Sequence, residues 1–580
     1  MNMSRFILFC RSLIAAWGVF CCVFLSACSG ERTTEIRIIH TTDIHGNYFS
    51  FDFLADSAGT GSMSRLSSFL KEARKQNPSL LLIDGGDILQ GTPAAYYSNY
   101  ADTLPVNLAA QTMNYLRFDA SVVGNHDIET GHEVYDSWIK DCKFPVLAAN
   151  MIDIETDKPY LPPYTIKDID GIRVAILGFV TPAIPEWLPQ DLWRGVGFED
   201  ILISAQQWVP YVIEHEKPDI LIGLLHSGLK NTNRHYIENA GELLAKEVSG
   251  FDALFIGHDH RKFNGQLRTS RGDSVHVCNP ASHLDFASDL TIRVTRKGNK
   301  IVAKDISSRL VDLNQYEPDP AFERAFSEQQ QAVRKWANRQ VGVLETPLDI
   351  RGSLFGPTPF LSLIHRVQLD ATGADISFAS PLDLHTYIPA GPLRVRDLFS
   401  LYRFENFLYV MELTGSEVKD YLEFSYGKWA NHMKGPKDHL LLFRTGITPQ
   451  DKFKTLHEIF NYSSAAGIDY TVDVSKPAGD RVKILKMSNG QPFDYSKVYR
   501  VALDSFRGGG GGDLLTEGCQ IRFEELARRI VEEKDDIRSY VHKYIVDKGS
   551  IEVQNNANWR FVPETWVREA IERDTKIMFP

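Results

Sequence analysis

One pattern recurs between residues 36 and 260: a short aliphatic run, closed at once by a tight polar cluster. The runs are Ile36–Ile39, Leu80–Ile83, Ser121–Val123, Val174–Val180, Ile220–Leu225 and Ala253–Ile256. Continuous rather than alternating aliphatic runs are what strands buried on both faces require. Amphipathic stretches lie between them. Met63, Leu66, Leu70 and Ala73 fall on one helical face, and Glu199–His215 and Arg234–Val248 also read as helices. Strands alternating with helices predict an α/β domain whose sheet is covered on both faces. Residues 275–313 change to alternation, as in Leu290-Thr291-Ile292-Arg293-Val294, which predicts antiparallel strands closing that domain.

Five of the six runs lead into chemistry. After the first comes Asp43-Ile44-His45, after the second Gly85-Gly86-Asp87, and after the third Gly124-Asn125-His126-Asp127. His226 follows Ile220–Leu225, and Gly257-His258-Asp259-His260 follows Ala253–Ile256. In open α/β sheets, groups at the carboxyl ends of strands converge on one crevice. The donors are carboxylate, imidazole and one carboxamide, without thiolate, a set suited to Zn²⁺, Mn²⁺ or Fe rather than Ca²⁺. Seven donors are too many for one tetrahedral ion, whereas two ions sharing a carboxylate fit the number. Paired cations about 3.5–4 Å apart activate a water and brace both oxygens of a phosphoester displacement. Singly, each cluster would read as a turn with a surface polar residue, and Asp84 as a brace for the turn beside Asp87. The ordered set carries the inference.

These residues resemble the calcineurin-like metallophosphoesterases. The correspondence runs through Asp43-x-His45, Gly86-Asp87, Gly124-Asn125-His126, His226 and Gly257-His258-x-His260. Within that family the chain is similar to the secreted nucleotidases, which join this domain to a C-terminal nucleotide-binding domain. The resemblance implies a four-layer β-sandwich flanked by helices and a helical link to an α+β second domain. It also implies two divalent cations, with Zn, Mn, Fe and Mg all open. Asp43, His45, Asp87 and His260 would hold one ion; Asp87 as a bridge, Asn125, His226 and His258 would hold the other. His126 would be the catalytic histidine, oriented by Glu129, where relatives carry Asp or Asn.

The expected boundaries are a leader at 1–27, a catalytic domain at 33–318, a linker helix at 319–341 and a nucleotide-binding domain at 342–580. The linker is polar, lacks Gly, and spaces Phe322, Phe326, Val333 and Trp336 along one long helix. In the second domain, Phe460-Asn461-Tyr462 and Phe506, ahead of the glycine run Gly508 to Gly512, fit a family-type base clamp. Stacking a base on an aromatic ring is worth about 1–3 kcal/mol. Core packing is the competing reading for each ring in a chain with 33 Phe. The run lacks Gly-Lys-Ser/Thr and is no P-loop; it reads as a flexible loop. The Gly-Gly-Ile-Arg element of 5'-nucleotidases is replaced by Ala379-Ser380-Pro381-Leu382, without Arg. That departure points toward 2',3'-cyclic-nucleotide 2'-phosphodiesterases with 3'-nucleotidase activity. The alternatives are a 5'-nucleotidase or UDP-sugar hydrolase, a hydrolase acting on a sulfur-carrier thioester and, remotely, a non-catalytic binding protein on this scaffold.

The ends and the charge fix the setting. Arg5 and Arg11 precede an apolar run from Ser12 to Ala27, too short to span a bilayer and right for a signal peptide. Leu25-Ser26-Ala27-Cys28 resembles a lipobox, so Cys28 is expected to carry lipid and to tether an extracytoplasmic protein. Outside the leader and Cys28 only Cys142, Cys278 and Cys519 remain, which supports no disulfide framework. A net charge of −11, without a run of one sign, argues against duplex nucleic acid as a partner. The expected partner is a small nucleotide, the membrane is reached only through the anchor, and the chain is expected to be a monomer.

Overall fold

Two six-stranded sheets stack face to face in the N-terminal half. In chain order their strands are β1 (Glu31–Thr41), β2 (Leu81–Asp84), β3 (Ala120–Val122), β4 (Val146–Leu147), β5 (Tyr164–Ile169), β6 (Ile172–Val180), β7 (Ile220–His226), β8 (Ala253–Ile256), β9 (Lys262–Arg268), β10 (Ser274–Pro280), β11 (Phe286–Lys297) and β12 (Lys300–Asp312). One sheet runs β12-β11-β1-β2-β3-β4 and the other β9-β10-β8-β7-β6-β5. The computed structural model describes residues 31–101, 106–298, 300–448 and 454–580, so the expected leader and Cys28 lie outside the described residues.

The aliphatic runs are continuous because both faces of each strand are buried. Ile36, Ile38, Leu81, Ile83 and Val122 meet Val174, Ile176, Ile222, Leu224 and Phe255 between the sheets. On the outer face of the first sheet, Ile39 and Leu82 pack under α1 (Met63–Gln76), α2 (Leu108–Leu116) and α3 (His132–Asp141). Leu177, Leu221 and Leu254 do the same under α4 (Ile201–Glu216) and α5 (Gly241–Glu247). The result is the expected four-layer sandwich. Its central strands run parallel, β1 with β2, β2 with β3, β6 with β7 and β7 with β8. Their carboxyl ends therefore share one edge, which places the polar clusters together.

Two helical readings differ from the structure. The Arg234–Val248 stretch is helical only over α5. Before it, Asn233 Oδ1 accepts from the N–H of His235 and Tyr236, and Asn231 Oδ1 from those of Glu238 and Asn239. Asparagine side chains bonding nearby amides outcompete the helix there. The linker is two helices, α6 (Pro320–Ala325) and α7 (Ser327–Ala337), broken at Phe326, where φ is −114° and ψ 16°. Phe322 and Phe326 both sink into the catalytic-domain core, and the backbone bends to seat them.

Beyond α7 lies a five-stranded sheet in the order 464–466, 376–379, 498–504, 407–414 and 530–536. It joins the first domain at two seams. At one, Arg538 on α8 (Ile537–Lys548) lies 4.2 Å from the Phe399 ring and 5.8 Å from that of Tyr96, which stacks on Trp336. At the other, Phe523 stacks on His235 at 4.9 Å and packs on Tyr236. Among the described residues no helix is long and apolar enough to cross a membrane, and Cys142, Cys278 and Cys519 are unpaired.

Candidate active site

The strand ends turn sharply into the site. Asp43, His45, Asp87, His258 and His260 all have positive φ, between 50° and 69°. Non-glycine residues adopt this region at a cost, and such strain clusters where side chains must be aimed. The clusters also require close backbone approach. A Cβ on Gly124 would lie 2.0 Å from Asp87 Oδ1, so only glycine fits there. Asp127 ties the two loops together, accepting from the backbone N–H of Asp87, Ile88, Leu89 and Gly124 at 2.8–2.9 Å. Asp84 braces the neighbouring turn through Thr41 and the Gly86 N–H, as its position suggested.

Two donor groups form. In the first, the ligand atoms of Asp43, His45 and His260 lie within 4.8 Å of one another; in the second, those of Asp87, His226 and His258 do. Asn125 joins the second, its Oδ1 lying 3.0 Å from His226 Nε2. All seven expected donors thus face one edge.

Hydrogen bonds aim the lone pairs. His226 Nδ1 donates to the Gly85 carbonyl at 2.7 Å and His45 Nδ1 to that of Gln90 at 3.2 Å. Each therefore turns its Nε2 toward its donor group. His258 Nε2 is bonded to Glu238 at 3.0 Å, leaving Nδ1 to face the second group. This is how imidazoles are oriented for metal binding. The result is a set of acceptors turned on one another: His45 Nε2 is 3.0 Å from His260 Nε2, and His226 Nε2 is 3.1 Å from Asp87 Oδ2. Lone pairs this close repel unless a cation or proton lies among them, so the donor set fits two divalent cations.

The electrostatics agree. Burial would raise Asp43, but its hydrogen bond and attraction to His260 hold it below the carboxylate range. Burial would raise Asp87 as well, yet His226, then His126 and His45, keep it ionised. Asp87 thus feels imidazoles from both groups, as a bridge would. His45 is driven down, mainly by burial and then by His260, and stays neutral.

His126 stands apart from the donors. Its backbone N–H bonds Asp87 Oδ1 at 2.8 Å, while its ring Nδ1 meets Glu129 Oε2 at 2.5 Å. Burial would lower this ring, but Glu129 and then Asp87 outweigh it and push it up to about 10. Its Nε2 is left for a substrate atom.

Three further neighbours surround the donors; Glu238 and Trp187 escaped the sequence reading, whereas His283 was open to it as a partner of the metal ligands. Glu238 orients His258. Trp187 stacks on His258 at 5.5 Å and donates to the Tyr236 hydroxyl. His283, at positive φ, lies 5.3 Å from His45 and 5.9 Å from His260, centroid to centroid. Glu238 and Trp187 follow no aliphatic run into a polar cluster, so no spacing marked them.

Phe460 and Phe506 do meet, with centroids 6.1 Å apart, but at 77° rather than parallel. Arg507 fastens them, donating to the Phe460 carbonyl and to Asn461 Oδ1 at 3.0 Å. The glycine run serves close approach rather than slack. A Cβ on Gly509 would lie 1.9 Å from the Glu186 carbonyl, and one on Gly511 within 2.6 Å of the Phe506 ring. Glu186 belongs to the turn that carries Trp187, so Phe506 stands one short helix away from the metal-facing His258.

Residues 36–262 match the family of calcineurin-like phosphoesterases, and residues 340–517 match the family described as 5'-nucleotidase, C-terminal domain. The chain is 25% identical over 92% of its length to the trifunctional nucleotide phosphoesterase protein YfkN of Bacillus subtilis, spanning 39% of that longer protein. It is 25% identical to the 2',3'-cyclic-nucleotide 2'-phosphodiesterase/3'-nucleotidase of Salmonella typhimurium, covering 93% of this chain and 90% of that one. Among solved structures, a 5'-nucleotidase-type protein from Staphylococcus aureus in complex with alpha-ketoglutarate shares the fold. Its TM-score is 0.73 at 19% identity, covering 91% of this chain and 100% of that one.

Proposed function

Because this chain belongs to the proteins that join a calcineurin-like phosphoesterase domain to a 5'-nucleotidase C-terminal domain, and is a dimetal hydrolase of phosphoester bonds, we propose that its substrates are nucleotides esterified at the ribose 2' and 3' oxygens. The activity would be that of a 2',3'-cyclic-nucleotide 2'-phosphodiesterase and 3'-nucleotidase. Domains at 33–318 and 342–580 share the work, linked through 319–341. Their setting is extracytoplasmic nucleotide breakdown by a lipid-anchored monomer.

The carrying observation is the pair of donor groups with His126 and Glu129 beside them. Asp43, His45, Asp87 and His260 would hold one cation; Asp87, Asn125, His226 and His258 would hold the other. When bound, the two cations supply an activated water and neutralise charge on the phosphoryl oxygens. The protein does the rest. Glu129 fixes the His126 tautomer, and His126 Nε2 delivers the proton to the departing ribose oxygen. The base rests on Phe506 and Phe460, near enough through the Gly509–Glu186 contact for one nucleotide to reach both domains.

Two observations favour ribose 2' and 3' esters over 5' esters. Full-length relatives such as the Salmonella protein carry that activity in their names, and no Arg stands at Ala379-Ser380-Pro381-Leu382, where Leu382 packs into the core instead. Assaying 2',3'-cyclic AMP, 3'-AMP, 5'-AMP and a UDP-sugar side by side tests this. The first two should be turned over at least tenfold more efficiently; a preference for 5'-AMP or the UDP-sugar overturns the substrate reading and leaves the metal site standing.

The clamp has its own test. Phe460→Ala with Phe506→Ala should lower kcat/KM for nucleotides by about 2–4 kcal/mol, the worth of two stacks, mostly through KM. Hydrolysis of a small aryl phosphate should be nearly unchanged. Equal losses on both substrates mean the rings serve packing.

A further inference from the structure

A metal-binding imidazole needs two constraints. A hydrogen bond at its far nitrogen sets the direction of the lone pair, and a neighbour against its face sets the plane in which that lone pair lies. His258 has both. Glu238 bonds its Nε2 at 3.0 Å. The Glu238 backbone is itself held within the catalytic domain, its carbonyl accepting from the hydroxyls of Thr181 and Ser227 at 3.0 and 2.9 Å. The plane is set by Trp187, whose ring lies 5.5 Å from that of His258 at 20°.

Trp187 takes its own position from the second domain. It ends the short helix Ile184–Trp187, and its Nε1 donates to the Tyr236 hydroxyl at 2.9 Å. Phe523 of the second domain packs on the Tyr236 ring at 5.6 Å while stacking on His235. The second domain also meets Glu186, the residue before Trp187, where Gly509 passes too close to the Glu186 carbonyl for any side chain. The two contacts come from one unit, since a Cβ on Gly510 would lie 3.3 Å from the Phe523 ring. The path Phe523–Tyr236–Trp187–His258 thus runs from the second domain to a donor of the second group, not of the first.

We propose that Trp187 is a positioning residue for the second donor group, and that Phe523 of the second domain, acting through Tyr236, sets how tightly Asp87, Asn125, His226 and His258 hold their cation. This rests on the two-cation reading of the donor groups. The first group binds independently of the second domain, whereas the second reaches full affinity only with the seam intact. The glycine run that backs Glu186 at Gly509 also touches the Phe506 ring at Gly511. One stretch of the second domain therefore lies against both the ring proposed to seat the base and the helix that aims His258.

The test uses the full chain, stripped with chelator and titrated with Mn²⁺ in a calorimeter, with His258→Ala marking which binding step belongs to the second group. In Phe523→Ala that step should weaken by about 10- to 100-fold, the usual worth of groups that orient a metal ligand, with the other step unchanged. Tyr236→Phe keeps the ring and loses the hydroxyl, so it should weaken the same step by a smaller factor without opening the seam. Trp187→Ala should cost at least as much as Phe523→Ala, and the two together no more than Trp187→Ala alone, because they act in series. Arg234→Ala breaks an exposed pair with Glu517 at the same seam and should leave both steps at their wild-type values. Unchanged affinity in Phe523→Ala and Tyr236→Phe overturns the proposal, as do equal weakening of both steps, additive losses, or a like effect of Arg234→Ala. A wild type that binds fewer than two ions overturns the two-cation reading itself.

Discussion

Asp87→Asn is expected to abolish measurable hydrolysis and to leave purified protein short of metal. Asp87 is buried, receives the His126 N–H on Oδ1 and faces His226 Nε2 with Oδ2. An amide keeps the shape and the size but removes the charge, and turns an N–H₂ donor toward an imidazole or a cation. A neutral bridge between two cations is a poor ligand, because the cations' mutual repulsion is no longer offset. Losing one ion's stabilisation costs several kcal/mol in the transition state, roughly a 10³- to 10⁴-fold fall in rate. Metal analysis and single-turnover assays on the variant check it. Two retained ions with a near-normal rate would remove Asp87 from the centre of the mechanism.

His126→Ala should behave differently, keeping both ions while kcat falls by about 10²- to 10⁴-fold, the usual range for a positioned acid. His126 belongs to neither donor group, and its backbone bond to Asp87 survives the substitution. The decisive readout is dependence on the leaving group. A p-nitrophenyl ester departs without needing a proton, so its loss should be much smaller than that of a nucleotide. Glu129→Gln should fall between the variant and wild type, because the amide can still bond Nδ1 but holds the imidazolium less well. Equal losses on both esters would make His126 a structural residue.

Much of the site was legible because strands announce their own ends. Asp43, Asp87, Asn125, His226 and His258 each stand at or just past the last residue of a buried aliphatic run, and parallel pairing then forces them to one edge. His126 was legible as part of the same cluster. The second domain was less so. Phe460 and Phe506 could be named but not oriented, since their perpendicular packing depends on Arg507 and on glycines that let the chain pass within contact of Glu186. Glu238 and Trp187 were hidden for a related reason. They come from loops shaped by asparagine turns and aromatic stacking, where neither period nor spacing signals what a side chain will touch.

The central claim is that two cations, held by these seven residues, carry nucleotide phosphoester hydrolysis. It is tested most directly by stripping the protein with chelator, titrating Mn²⁺ or Zn²⁺ back, and following hydrolysis of 2',3'-cyclic AMP against metal bound per chain. Activity should be absent from the stripped protein, stay low at the first equivalent and rise as the second fills, reaching its plateau at two ions per chain. A plateau at one ion, or hydrolysis that persists without metal, contradicts it.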